Sequence, residues 1–453
     1  MEIKINIPAD ANELIHTLHN NSHSAYIVGG CVRDSILGRT PHDWDICTSA
    51  TPSEMLDIFK DKKIIETGLQ HGTVTVVVNG ESYEITTYRI DGIYSDNRRP
   101  DTVTFTDKLV EDLRRRDFTI NAMAYNDEEG LIDPFNGMED IKYKKINCVG
   151  CEKDRFEEDA LRILRAIRFA AQLEFTIMPG TDWEIHKQYK NLENISIERI
   201  NSEFCKIASS DDFCVELLLY KDVFSLFIPE LKDMFDFSQN NPWHIWDVFG
   251  HTIHAVEYCD SDDLVVRLAV FFHDFGKPHS YQDGEDGIRH FKGHGKVSAE
   301  MTEQILRRLK FDNYTIDNVV ELIRYHDATF NVGGKYVKRW LNKIGKEQFK
   351  RLLELRKADI KAHNPRYIDD RLDKIREIEM ILENILKEEQ CFSVKDLAIN
   401  GKDVMKWACI KEGKDVGIWL NRLLKLVIDG ELPNDKDTLI YYIIGTTDGW
   451  MKP

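Results

Sequence analysis

The stretch from Tyr26 to Thr48, YIVGGCVRDSILGRTPHDWDICT, constrains this chain more than any other. Its apolar opening, Tyr26-Ile27-Val28, reads as a buried strand, and Gly29 and Gly30 follow at once. A helical segment carrying Arg33 and Asp34 comes next, then Asp43-Trp44-Asp45 with apolar Ile46 behind it. Glycines let backbone N–H groups approach a phosphate closely, at the positive end of the helix that follows. Arg33, one turn into that helix, can neutralise phosphate oxygens bidentately. Asp43 and Asp45 are two apart, so on a strand their carboxylates leave from one face. Two convergent carboxylates suit Mg²⁺ when its other ligands are phosphate oxygens and water. A pair of such ions activates an attacking hydroxyl and stabilises leaving pyrophosphate. Paired glycines alone would equally fit a turn before a solvated acidic loop; the full constellation favours a phosphate and metal site.

A chain of 453 residues should hold two to four domains. Its hydrophobic fraction of 42% supports sizeable cores, and 30% charged residues imply solubility. No apolar run approaches the roughly 20 residues that span a bilayer, and the opening MEIKINIPADANELI lacks a signal-like apolar core. Nine scattered cysteines, with Cys148 and Cys151 a lone CxxC taken as structural, fit a reducing cytoplasm. The net charge of -18 does not exclude nucleic acid, because an acidic protein can line one groove with Lys and Arg. Arg114 to Arg116, Lys142 to Lys145, Arg307-Arg308 and Lys335 to Arg339 are such runs. Each alone also fits a solvated helix face.

Taken in order, residues 8–23 read as an amphipathic helix. Thr51, Pro52 and Glu54 predict a capped helix to Lys60. The β-branched run Thr73 to Val78, the Asn79-Gly80 turn and the alternating Tyr83 to Arg89 predict a hairpin. From it Glu84 could point toward Asp43 and Asp45 as a third carboxylate, or simply stand in solvent. Asp91 to Asp101 is polar and turn-rich. Leu109 to Tyr125 reads as a helix turning into an apolar segment that anchors Arg116-Asp117. Phe156 to Leu173 reads as one amphipathic helix whose Asp159, Arg162, Arg165 and Arg168 form a polar stripe. That stripe is either a salt-bridged surface or a base reader: Asp accepts from an exocyclic amine while Arg donates to the ring.

GGCVRD with DWDICT, TGLQHGTVTVVV, RRDFTINAMAY and EDALRILRAIRF occur here in order. Together they closely resemble the bacterial class II tRNA nucleotidyltransferases, the CCA-adding enzymes of the polymerase-β-like superfamily. The resemblance is specific over residues 24–175 and weaker beyond. It implies that Gly30 and Arg33 hold the triphosphate, that Asp43 and Asp45 bind Mg²⁺ with Glu84 as third carboxylate, and that Arg116 contacts the nucleotide. It implies that Asp159 and Arg162 template CTP and ATP, supported by Arg165 and Arg168, and that the loop near Asp91 to Asp101 helps switch from C to A addition. Bacterial poly(A) polymerases and A-adding enzymes share this head; Thr67 to Thr73 here favours the tRNA enzyme over the former.

Beyond residue 176 the chain reads as helical. His251 in HTIHAV, His273-Asp274 in LAVFFHDFGKP, His294 in FKGHGKVSAEM and His326-Asp327 in LIRYHD follow apolar helical stretches. They resemble an HD domain, a helical metal phosphohydrolase fold. The resemblance implies that His251, His273, Asp274 and Asp327 bind a second divalent metal, with His294 and His326 nearby; Mn, Ni, Co or Mg suits such ligands. A degenerate domain with satisfied histidines is the alternative, as is a hydrolase of RNA ends or cyclic nucleotides with an inert head. Residues 391–430 resemble the tail that contacts the tRNA elbow.

The expected fold is therefore α+β: a nucleotidyltransferase head of mixed sheet and helices (1–140), an all-α neck (141–230), an HD-type body (231–385) and a helical tail (386–453). The expected partners are tRNA, CTP and ATP, with no membrane, in a monomer or homodimer in the cytoplasm.

Overall fold

The computed structural model describes residues 3–66, 68–92, 102–388 and 391–447. It divides into two compact units, Met1–Pro229 and Glu230–Pro453.

The first unit is built on strands β1 (Ala25–Val28), β2 (Ile46–Thr48), β3 (Lys63–Ile65), β4 (Thr73–Val78), β5 (Glu81–Thr87), β6 (Arg89–Asp91), β7 (Val103–Phe105), β8 (Ala124–Asn126) and β9 (Gly130–Ile132). Seven form one sheet in the order β3-β4-β5-β2-β1-β8-β9, while β6 and β7 pair separately. The β4–β5 hairpin turns at Asn79-Gly80, both with positive φ (52° and 91°), which is the backbone a two-residue turn needs. Val74, Val76 and Val78 alternate inward along β4. Strands β2 and β5 run parallel with Ile46 opposite Ile85, and β1 pairs with β2 antiparallel. Consequently the end of β1, the start of β2 and the Ile85 stretch of β5 meet at one end of the sheet's three central strands.

Helices form where the sequence carries their signals. Ala9–Asn20 is the amphipathic N-terminal helix, and Pro52–Ile58 starts at a complete Thr51–Glu54 capping box. Two expectations need correction. The carboxylates of Asp43 and Asp45 lie in irregular backbone just ahead of β2, not within a strand. The Phe156 to Leu173 stretch is two helices, Glu152–Glu158 and Leu161–Leu173, with Asp159 extended (φ −139°, ψ 102°) in the break. Asp159 therefore does not share a helix face with Arg162, Arg165 and Arg168. Its Oδ1 accepts from the Leu161 amide (3.1 Å), a local bond that competes with helix continuation. The Asp91 to Asp101 loop falls almost wholly outside the described residues.

Behind the Leu161–Leu173 helix, Phe204, Phe213, Phe224 and Phe227 pack edge to face with centroids 5.8 to 6.3 Å apart. The second unit is helical, with a buried Phe271, Phe272 and Phe275 cluster and a separate C-terminal core around Leu423, Leu424, Leu439 and Ile443. None of the nine cysteines is bridged; Cys148 is buried, its thiol pushed up to about 12 by burial, and Cys151 is exposed. No helix among the described residues is long and apolar enough to cross a membrane.

Phe204 is fully buried in the aromatic cluster. Phe204→Ala is expected to cost the first unit about 3–5 kcal/mol, read as a lower urea midpoint by circular dichroism. A loss below about 1 kcal/mol would show that the cluster collapses around the gap.

Candidate active site

Gly29 ends β1 with φ +80° and donates its amide to Met123 O (3.2 Å). A Cβ there would lie 2.9 Å from Arg116 Nη1, so the guanidinium rests directly on bare backbone. The Val28 amide bonds Asp45 O (3.0 Å), which fixes Asp45 beside this turn. Asp45 immediately precedes Ile46, and Glu84 immediately precedes its parallel partner Ile85. Register thus brings together residues that stand 39 positions apart in the chain. Asp43, Asp45 and Glu84 all keep solvent access. Partial desolvation raises the Asp45 carboxyl above its usual range; Arg116 opposes that, and the nearby Glu84 and Asp43 charges add to it. Clustered carboxylates that repel one another fit a cation in their midst.

The arginines are held differently from one another. Arg33 is buried, donates through Nε to Asp34 (2.8 Å) and through Nη1 to Asn121 (2.5 Å), and lies against Phe169. Its Nη2 ends beside Gly30. Arg116 pairs weakly with Asp112 (3.4 Å), and its buried Nε has no hydrogen-bond partner among the described residues. Arg165 binds Asp117 through Nε (2.7 Å), and Arg168 pairs with Glu203 (3.1 Å). Burial draws the Arg168 guanidinium down to about 10 against the Glu203 charge.

Asp159 and Arg162 are each held by other residues. Arg199 clamps Asp159 (2.9 Å), and Arg162 binds Glu158 (2.5 Å) and Arg115 O (3.0 Å). They remain neighbours, since the Arg162 amide bonds Asp159 O (3.0 Å). Asp117, Asn121, Glu203 and Arg199 were not singled out from sequence. Asp117 had a signal in the RRD motif; the others are brought in by tertiary contact alone.

In the second unit, His251, His273 and Asp359 form one buried triad, and Asp274, His294 and His326 form another. The two share Asp274: its Oδ2 lies 3.2 Å from His273 Nε2 and 3.4 Å from His251 Nε2, and its Oδ1 3.4 Å from His294 Nε2. Each ring turns Nδ1 to a backbone carbonyl: His273 to Val270, His294 to Phe291, His326 to Ile323 and, more loosely, His251 to Ala362. A carbonyl only accepts, so Nδ1 carries the proton and the Nε2 lone pairs face inward. They meet in pairs, His251 with His273 at 3.3 Å and His294 with His326 at 3.0 Å. Facing lone pairs at that distance need a proton or a metal cation between them. Burial holds His251 and His326 below their usual values; on His273 burial acts the same way, yet Asp274 beside it carries it above.

The expected ligand Asp327 does not join either triad. Its side chain is 68% exposed and comes no nearer than 3.9 Å to His294 Nδ1, the nitrogen already turned to a carbonyl. Asp359 stands in its place, because the Lys346–Lys361 helix packs across the site. The sequence signal was Asp359 and His363, one helical turn apart.

A model of the poly(A) polymerase head domain matches residues 25–147, and a tRNA nucleotidyltransferase domain 2 model matches 281–443. The CCA-adding enzyme of Oceanobacillus iheyensis is 32% identical over 447 residues, spanning 96% of each chain. That of Lactobacillus delbrueckii is 50% identical over 202 residues, which are 45% of this chain and 50% of its own length. The crystal structure of the Bacillus stearothermophilus CCA-adding enzyme with CTP superposes with a TM-score of 0.69, 27% identity and 97% coverage of both chains.

Burial alone would raise Asp117; Arg165 and the Asn121 amide override it and hold the carboxyl far below its usual range. A depressed folded value means the stabilisation is complete above the unfolded value of about 4 and is lost as pH falls toward the folded one. Asp117→Asn, which strands Arg165, is expected to cost about 3–5 kcal/mol at pH 7. The gap to wild type should narrow progressively below about pH 4, read from urea midpoints at both pH values. A gap that does not change with pH would place the cost in packing instead.

Proposed function

This chain belongs to the CCA-adding enzymes, the tRNA nucleotidyltransferases that build the 3′-terminal CCA from CTP and ATP, and on that premise we propose how its own residues divide the work. The carrying observation is the nearness of Asp43, Asp45 and Glu84 to one another at the end of the central strands, beside the Gly29 turn. Asp43 and Asp45 hold a divalent ion, Mg²⁺ by their hard oxygen donors, and Glu84 is the third carboxylate. When bound there, the ion supplies charge for the triphosphate and acidity for the primer 3′-hydroxyl, which attacks the α-phosphorus as pyrophosphate leaves.

Gly30 lets the triphosphate approach the chain, and Arg116, its guanidinium on the Gly29 turn and close enough to Asp45 to act on its charge, supplies positive charge there. Arg33, committed to Asp34 and Asn121, contributes charge and a fixed wall rather than a free fork. Asp159 and Arg162 read the base edge. Their anchors, Arg199 and Glu158, hold them still, so the choice of C or A rests on shape as well as hydrogen bonding. Arg165 and Arg168 support them through Asp117 and Glu203.

A second reading concerns the helical body. The facing Nε2 pairs bridged by Asp274 favour a divalent-metal centre of phosphohydrolase type, held by His251, His273, Asp274 and Asp359 with His294 and His326.

Asp45→Ala should cut CMP and AMP incorporation by about a thousandfold while tRNA binding stays near wild type; incorporation within tenfold of wild type would remove Asp45 from the chemistry. Asp159→Ala should relax discrimination against UTP and GTP in single-nucleotide extension assays, and unchanged discrimination would end the template assignment. For the body, calorimetric Mn²⁺ binding should be lost in His273→Ala and Asp359→Ala and kept in Asp327→Ala; equal binding in all three would sink the metal reading.

A further inference from the structure

Strand β1 carries the Gly29 turn at one end. At its other end, beside Ala25, stands a cluster of side chains of different chemistry. His16 and His19 are three apart on the Ala9–Asn20 helix, so both project from one face. Glu128, in the turn between β8 and β9, reaches that face: its Oε1 lies 3.6 Å from His16 Nδ1 and 3.4 Å from His19 Nδ1. One donor atom from each of the three falls within 4.8 Å of the other two. Donors held about 2.1 Å from a tetrahedral ion stand about 3.4 Å apart. The two imidazole–carboxylate separations are therefore already close to those around such an ion.

The cluster is braced from behind. His19 Nε2 lies 3.1 Å from Ala25 O and 3.2 Å from the Ala25 nitrogen, which fixes the ring against the backbone and turns Nδ1 toward Glu128. That Nδ1 is shielded from solvent and makes no hydrogen bond among the described residues, although Glu128 is 3.4 Å away. With Nε2 donating to Ala25 O, Nδ1 presents a lone pair to a carboxylate oxygen, a repulsion that a cation between them relieves. Asn126, only 1% exposed, sets the carboxylate. Its Nδ2 donates to the same Ala25 O (3.1 Å), and its Oδ1 accepts from the Glu128 and Glu129 amides (3.1 and 2.7 Å). The flanking carboxylates are engaged elsewhere: Asp127 accepts from Asn12 and Tyr125, and Glu129 accepts from Tyr26. Glu128 is left to face the histidines.

We infer that His16, His19 and Glu128 hold one Zn²⁺ ion, with water as the fourth ligand, and that the ion ties the N-terminal helix to the β8–β9 turn. Two imidazoles and one carboxylate suit Zn²⁺, whereas Mg²⁺ asks for oxygen alone. Asp45 lies at the opposite end of β1, bonded to the Val28 amide. The ion at His16 and His19 therefore stabilises the head and takes no part in nucleotide transfer.

The test follows amide hydrogen exchange of the full-length protein with and without Zn²⁺, because exchange reads the Ala9–Asn20 helix and the β8–β9 turn separately from any metal bound in the helical body. Saturating Zn²⁺ should slow exchange in both segments by about tenfold or more, as binding to the closed form alone requires. Mg²⁺ at the same concentration should not. The effect should vanish in His16→Ala and in Glu128→Gln and persist in His23→Ala, a nearby histidine outside the triad. The His16 and Glu128 side chains are half-exposed, so both variants should fold, and CMP incorporation with Mg²⁺ should stay near wild type in each. Absence of Zn²⁺-dependent protection in wild type would show a plain imidazole–carboxylate ion pair and overturn the site. Protection that survives in both variants would assign the ion to other donors and overturn it equally.

Discussion

Three arginines converge on one aromatic ring at the centre of the first unit. The guanidinium carbons of Arg33, Arg165 and Arg168 lie 4.9, 5.4 and 4.2 Å from the centroid of Phe169. So much positive charge in a largely buried place persists only because Asp34, Asp117 and Glu203 each hold one arginine. This balance joins the glycine turn of the head to the Leu161–Leu173 helix. Arg33 comes from the segment after Gly29, Asn121 from the turn after the RRD motif, and Arg165 from the helix; Asp117 and Asn121 link them. The ring supplies a face on which the cations lie without needing further acceptors.

Around that centre the carboxylates Asp45 and Glu84 are placed by backbone, and Asp159 and Arg162 by side-chain contacts. Asp45 and Glu84 are level because β2 and β5 are parallel and in register, and Arg116 reaches them because Gly29 has no Cβ. Asp159 sits in the break ahead of the helix that carries Arg162, and each is gripped by a different partner. A site made this way has few loose parts. Residues whose rotamers are locked by ion pairs present one geometry to whatever approaches them.

The helical body follows a different physical rule. Its histidines are oriented by carbonyl groups at the ends of helices, so that lone pairs meet in the interior, where an unpaired lone pair is costly. Lys277 pairs with the buried Asp274 carboxylate (2.6 Å), and four imidazoles crowd around that same group.

Much of this was legible in the chain itself. The strand, paired glycines and DWD triplet marked the head because backbone approach and convergent carboxylates each demand particular residue types at short spacing. The Asn79-Gly80 hairpin and the Thr51–Glu54 cap were readable because their causes lie within four residues. Histidines and aspartates after apolar helices marked the body. What the chain could not reveal was partnership across distance. Periodicity ran Asp159 into the arginine stripe, and only the packed fold showed it outside the helix and bound to Arg199. The sequence pointed to Asp327, yet Asp359 is the carboxylate that meets His251, because its helix crosses the cluster while Asp327 is exposed. Local residue chemistry is written in short range. Which carboxylate meets which cation is decided by packing between elements, and that exists only in three dimensions.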